Sequence, residues 1–365
     1  MRSTPYSYLL LLLALVLVLA ACAEDEEPAA DADDPDDAEV EPDDPDDEPD
    51  DPDDEAEEPA VEFPSDDITV VVPTAAGGAF DVTSRRLQEA FGDAIGANVT
   101  IDNREAGGII AETISFADTG AECHDLMVNG TPVMQIAMAA SGEDFRIDEA
   151  YYPVGSYYVD PSVVLLGPDS GFESMDDFLE AAQDDPGGVN VGQGAVDIGH
   201  LGMLMIEDAV GIDLNVVFYD GGGPTRDALI SGEIDATHSG LFGSAAIHDQ
   251  VEIAAVHQET NEWEDLTDGA PTVSEALGED VGELGVEYQW YVTQECRDEH
   301  PEQYEILVEA MDEAVNSDTY LEQLEQDAVE GSLMWIDGPT YFEEQLEPRA
   351  DEMAEQGERL GELAQ

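Results

Sequence analysis

Six times between residues 68 and 247, an apolar, β-rich run ends in a loop and gives way to a helix-forming segment. The runs at 68–73, 98–102, 125–129, 189–191, 215–219 and 234–237 lead into helical stretches ending near 91, 117, 140, 210, 230 and 247. Such alternation confines the chain to parallel sheets flanked by helices, because a crossover helix is what returns a strand in the same direction. The rhythm breaks at 154–166 and again at 286–293, where extended apolar or aromatic segments have no adjacent helix. A chain that builds one α/β unit, crosses to a second and returns has this pattern. The two breaks are therefore expected to be crossover strands with a cleft between the units. The expected first domain comprises residues 65–160 and 287–335, the second 161–286, and a C-terminal helix 336–365.

Charge excludes several partners. The chain carries 89 acidic residues against nine basic ones, all arginine, for a net charge of −80. That field repels nucleic-acid backbones and anionic lipid headgroups. Of these acids, 24 fall within residues 23–62, leaving 65 acids against eight arginines and a net −57 on the body beyond. Hydrophobic residues make up 42% of the chain, enough for a packed core. Self-repulsion on this scale is screened in molar salt, where the Debye length is about 3 Å. The composition reads as a surface adapted to high salt.

The N-terminus reads as an export address. Arg2 precedes an unbroken apolar run at 9–19, and Leu19-Ala20-Ala21-Cys22 fits a lipoprotein cleavage site with Cys22 acylated. Residues 1–22 are read as a lipoprotein signal peptide, and 23–64 as an acidic Asp/Pro-rich stalk without a core of its own. The expected location is extracytoplasmic, on the outer face of the cell membrane, with contact to the membrane through the lipid anchor alone and a monomeric body. Cys123 and Cys296 remain as two cysteines in an exported body and form a possible disulfide.

Three glycine-bearing loops, at 75–81, 192–197 and 221–225, each stand between a strand end and a helix start. In open α/β sheets ligands gather at the carboxyl ends of strands, and free N–H groups at helix starts favour anions. Gly77, Gly78, Gly194 and Gly222 would let main-chain amides approach a carboxylate. Asp81 and Asp197 read as helix-start caps, and His200 as a packing residue between loops. Arg226 either pairs with a distal ligand carboxylate or makes a surface salt bridge. Arg104 is expected to brace the loop before Gly107. Phe80, Phe242, Tyr157 and Tyr158 are aromatic candidates for the cleft wall, with Phe80 preferred.

The segments ITVVVPTAAGGAFDVTSRRL (68–87), IDNREAGGIIA (101–111), YDGGGPTRDALISGEIDA (219–236) and APTVSEA (270–276) resemble, in order, those of the substrate-binding proteins of tripartite tricarboxylate transporters, the Bug family. The resemblance implies an α/β, two-domain periplasmic-binding-protein-like fold of type II character. Its sheets would be parallel-rich, flanked by helices and separated by a hinged interdomain cleft. It further implies capture of a small carboxylate (a di- or tricarboxylate, an amino acid or an aromatic acid) for delivery to membrane permease subunits. Carried over position by position, the ligand-facing set is Thr74, Ala75, Gly77, Gly78, Ala79 and Phe80, then Gln193, Gly194 and Ala195, then Gly222 and Thr225, with Arg226 added from the charge argument. The sequence departs from the family where Thr74 replaces a frequent aromatic and Asp220 a frequent lysine, and where the loop before His200 lacks the usual serines.

No enzyme motif competes strongly. Asp197 stands where the last glycine of a dinucleotide-binding G-x-G-x-x-G would be, and no G-x-S-x-G, H-E-x-x-H or Cys-x-x-Cys occurs. No cofactor, no metal and no catalytic residue is expected. The alternatives are an extracellular α/β hydrolase, for which Ser239 beside His238 is the one suggestive pair, and a ligand-sensing lipoprotein.

Overall fold

The computed structural model describes residues 62–105, 108–119, 122–194, 197–219 and 222–363. The expected signal peptide, Cys22 and nearly all of the stalk lie outside them. Among the described residues ten strands form: β1 Ile68–Val72, β2 Val99–Asn103, β3 Asp125–Thr131, β4 Tyr151–Leu166, β5 Asn190–Gln193, β6 Asn215–Phe218, β7 Ala236–Gly240, β8 Glu252–Val256, β9 Gly285–Thr293 and β10 Leu333–Asp337. β1 is nearly all aliphatic because it lies parallel between β2 and β3 and is covered by helices on its faces.

β4 joins two groups of strands. Its first part, through Pro161, pairs antiparallel with β9 and, at Gly155–Tyr158, with β10, continuing the order β2-β1-β3-β9-β4. Its last five residues, Ser162–Leu166, pair instead with β7 and β8, from which β5 and β6 continue. The chain returns beside this crossing: Ser162 N–H donates to the Leu284 carbonyl at 3.0 Å, and Leu284 N–H to that of His257 at 2.7 Å. The pairings among β1, β2 and β3 and among β5, β6 and β7 are parallel, whereas every pairing made by β4 or β9 is antiparallel. The sheets are therefore mixed, because the crossing strands enter each group from the opposite direction.

The first strand group packs an aromatic interior. Trp290 meets Phe91 and Tyr157 edge-on at centroid distances of 5.1 and 5.9 Å, and Tyr151, Tyr291, Tyr320 and Tyr341 are fully buried. Cys123, before β3, is joined by a disulfide to Cys296 after β9, with Cα atoms 5.3 Å apart. The second group has an aliphatic interior around Val164, Leu166, Phe178, Met203 and Ile206. Gly199 and Gly202 let the helix Ile198–Val210 lie directly on His238 of β7, where a Cβ at either glycine would overlap the histidine.

Two strands escape the sequence reading. β8 and β10 are five residues each, have no loop–helix sequel and pair antiparallel with β4, so the strand–helix rhythm carries no trace of them. The C-terminal helical run begins at Gly338, since 333–337 is strand.

Candidate functional site

Beside the crossing of β4 lies a cavity of about 570 Å³, enclosed by elements from both strand groups. The first loop brings Gly77 and Gly78. The helix Ala79–Ile95 then contributes Ala79, Val82, Thr83 and Arg86, which at spacings of three and four residues form one helical face. Tyr158 and Asp160 come from β4 and Tyr288 from β9. The opposite wall is Gly222, Gly223 and Arg226 at the start of the helix Gly222–Ile230, with Phe242 and Gly243 from the turn after β7.

Five members of the expected ligand set therefore border the cavity: Gly77, Gly78, Ala79, Gly222 and Arg226. Phe80 points the other way. It shares the buried face of its helix with Ser84, Leu87, Phe91 and Ile95, and meets the Tyr288 ring at 5.7 Å. Among the other aromatic candidates, Phe242 and Tyr158 line the cavity, whereas Tyr157 is fully buried beneath Trp290. Thr74 and Ala75 lie outside the lining; the Thr74 carbonyl accepts from Asn103 Nδ2 at 3.2 Å. Thr225 is buried.

The two acidic cap residues shape their own loops. Asp81 Oδ2 accepts from Gly77 N–H at 2.8 Å, and Oδ1 pairs with Arg85 at 2.8 Å. Burial pushes its pKa up, but the hydrogen bonds from Arg85 and Gly77 outweigh that and hold the carboxyl below its ordinary value. Asp197 Oδ2 accepts from Gly194 N–H at 2.8 Å, and Oδ1 from His200 N–H at 2.8 Å. Burial dominates there and raises its pKa. Each carboxylate fills an amide that the sequence offered to a ligand. In the second loop nothing described reaches the cavity. Gln193 is buried with its Nε2 unpartnered among the described residues, Gly194 is turned toward Asp197, and Ala195 lies outside the described residues. His200 is buried and meets the Phe218 ring edge-on at 5.3 Å. Arg104 binds Asp102 at 2.8 Å, while its N–H donates to the Val72 carbonyl; Gly107 and Asp220 lie outside the described residues.

The electrostatics of the cavity centre on residues to which the sequence reading gave no role. Arg86 is fixed to Asp327 at 2.6 Å and reaches the Tyr158 hydroxyl at 3.4 Å, so its charge is already answered. Asp160 is 7% exposed; its Oδ1 accepts from Phe242 N–H at 2.8 Å and its Oδ2 from Gly243 N–H at 3.0 Å. Burial lifts its pKa to about 6, against the lowering effect of those amides and of the Arg226 and Arg86 charges. Seven of the eight described arginines are held in ion pairs; Arg226, on the cavity wall, is the exception among the described residues. The helical spacing of 79, 82, 83 and 86 was a signal available in the sequence for Arg86. Asp160 sits in the apolar run of β4, and only its long-range contact with 242–243 sets it apart.

The hydrolase pair does not assemble. His238 is buried with Nε2 2.9 Å from His257 Nδ1, while Ser239 Oγ is engaged with Ser244 Oγ at 3.1 Å. Among the described residues no group of three His, Cys, Asp or Glu is placed to hold a metal ion, and no helix is long and apolar enough to cross a membrane.

Known proteins resemble this chain in sequence and in fold. A protein encoded in the tcbD–tcbE intergenic region of a Pseudomonas species is 28% identical over 174 residues, 47% of this chain and 52% of that protein. Protein BugT of Bordetella pertussis is 25% identical over 177 residues, 48% of this chain and 54% of its own length. The chain thus spans about half the length of the curated relatives it matches. Among solved structures, MatC of Rhodopseudomonas palustris with bound malate superposes with a TM-score of 0.62 at 19% identity, over 83% of this chain and 100% of that one. An adipate-bound protein of the same species gives 0.66 at 18% identity, over 83% and 98%. A TctC solute-binding protein from Polaromonas gives 0.64 at 20% identity, over 82% and 98%. These similarities establish the periplasmic-binding-protein type of fold. Residues 83–337 match the family model described as the tripartite tricarboxylate transporter family receptor, a receptor rather than an enzyme family, and the chain belongs to that family.

Proposed function

We propose that this protein is an extracytoplasmic solute-binding protein that takes a small carboxylate into the cavity beside β4 and delivers it to permease subunits of a tripartite tricarboxylate-type transporter. One observation carries the reading. In a chain with 89 acids and nine arginines, the one described arginine without an ion pair stands on the cavity wall. A guanidinium surrounded by so many potential partners stays unpaired where its fork is kept for something else, and a carboxylate fits that fork. Malate and adipate in the two structural relatives, both carboxylates, support the same class.

Domain 1 (65–160 and 287–335) and domain 2 (161–286) would close about Pro161–Ser162 and Leu284–Gly285, where the two crossing strands lie side by side. Short contacts inside a closed cavity survive salt that screens the acidic surface. Acylated Cys22 would tether the monomeric body to the outer face of the membrane, with the acidic segment as spacer. Thermal-shift screening in about 3 M salt against di- and tricarboxylates, amino acids and aromatic acids tests the reading. At least one acid is expected to raise the melting temperature in a saturable manner. No response to any of them, with hydrolysis of a model ester, would replace it with the hydrolase.

A further inference from the structure

The cavity holds two charges, Asp160 and Arg226, that have no ion pair among the described residues. Asp160 has its two main-chain donors, yet no cation lies within ion-pair distance of it among the described residues. Arg226 lines the same cavity and biases the ionisation of Asp160 by its charge, with no ion pair between the two. Buried charges are ordinarily paired, since an isolated ion loses its hydration with nothing in return. Each Asp160 oxygen uses one lone pair on a main-chain N–H and keeps acceptor capacity for a further donor. Gly240 and Gly243 leave the space in which this carboxylate sits, because a Cβ at either would crowd Oδ2.

We propose that Asp160 and Arg226 make the cavity a site for a zwitterion, an amino acid whose ammonium is received by Asp160 and whose carboxylate is received by Arg226. The inference rests on the carboxylate reading and narrows it. A plain dicarboxylate answers Arg226 but sets a second anion against Asp160 and forces that group to take up a proton. An amino acid answers both charges and leaves Asp160 ionised.

Four side chains with charge or titratable groups bear on Asp160: Arg226 and Arg86 from the helices, Tyr158 and Tyr288 from the strands. Burial raises the Tyr158 hydroxyl to about 12 and that of Tyr288 well above its ordinary value, so neither titrates below neutrality. Arg86, hydrogen-bonded to Asp327, stays charged. Asp160 is therefore the cavity group that changes charge near pH 6.

The test is calorimetry on the whole folded body in about 3 M salt, pairing each of the common amino acids with its des-amino acid, for example L-glutamate with glutarate and L-leucine with 4-methylpentanoate. At least one amino acid is expected to bind about tenfold or more tightly than its des-amino partner. Its affinity should fall by up to about tenfold per unit as the pH drops below 6, while that of any des-amino acid rises. D160N should erase the preference, and the pH series on the unaltered protein gives the same answer if that variant does not fold. Des-amino acids binding as tightly as their amino partners, or amino-acid affinity indifferent to pH between 7 and 5, overturns the zwitterion site and leaves the carboxylate reading standing. An absence of binding by acids of either kind overturns both.

Discussion

The two strand groups solve the same folding problem with different interiors. The group built on β1, β3 and β9 packs tryptophan and tyrosine and is closed by Cys123–Cys296, before β3 and after β9, at its end far from the crossing to the other group. The group built on β5, β6 and β7 packs aliphatics and encloses a pair of neutral histidines, His238 and His257. Among the described residues His238 Nδ1 has no hydrogen-bond partner. Burial drives the His257 pKa to about 4 and that of His238 well below its ordinary value, the latter also through the charge of its neighbour. The first group is stapled, whereas the second carries polar atoms in its core that only remain stable while uncharged. The contrast predicts that the two groups differ in local stability.

Removing the staple probes this contrast most strongly. The disulfide spans 173 positions and brackets the whole second group. The double replacement Cys123→Ala/Cys296→Ala is expected to cost about 2–5 kcal/mol of unfolding free energy, because a loop this long gives the unfolded chain much freedom. Denaturant unfolding of the oxidised protein and the variant would measure it. An unchanged midpoint would mean that the aromatic core alone holds the base.

Acid should act on the other side. The unfolded histidines take up protons as pH falls through about 6.5, whereas folded His257 resists until about pH 4 and folded His238 stays neutral well below its ordinary range. The second group is therefore stable above 6.5 and loses stability on the way down, at up to about 1.4 kcal/mol per pH unit for each histidine. Asp160 contributes the opposite sign: its folded pKa near 6 lies above its ordinary 3.8, so protonation between those values favours the folded state. Two histidines against one aspartate leave a net loss. Unfolding midpoints at pH 7.5, 6 and 5 in constant salt, compared with His238 and His257 imidazole signals, would resolve it. A second group no weaker at pH 5 than at 7.5 would break the comparison.

The smallest expected effect lies at one helix end in the second group. Thr272 and Glu275 form a reciprocal cap at the start of the helix Val273–Leu277. Thr272→Ala should cost about 1 kcal/mol there, and hydrogen exchange should localise the loss to the second group. A loss shared equally by the β1 group would argue that the two halves unfold as one.

The alternation of strands and helices is a local property, and so the sequence carried six strand–loop–helix passages and both breaks in the rhythm. β8 and β10 exist because β4 offers them an edge, a fact about distant residues. The site divides on the same principle. Gly77 and Gly222 announce themselves by their position between strand and helix. Asp160 reads in sequence as one polar residue in a strand, and becomes a cavity charge only when residues 242–243 fold over it. Phe80, adjacent to a candidate ligand loop, falls on the core face of the helix that follows, which loop position in the sequence does not reveal.

The central claim is that the unpaired guanidinium on the cavity wall is there to receive a carboxylate. Calorimetric titration of the tightest-binding acid into the protein and into Arg226→Met, both in about 3 M salt, addresses it most directly. Loss of one charge-assisted contact predicts saturable binding that weakens about 10–100-fold in the variant while its unfolding midpoint stays the same. Equal affinity in the two proteins would contradict the account.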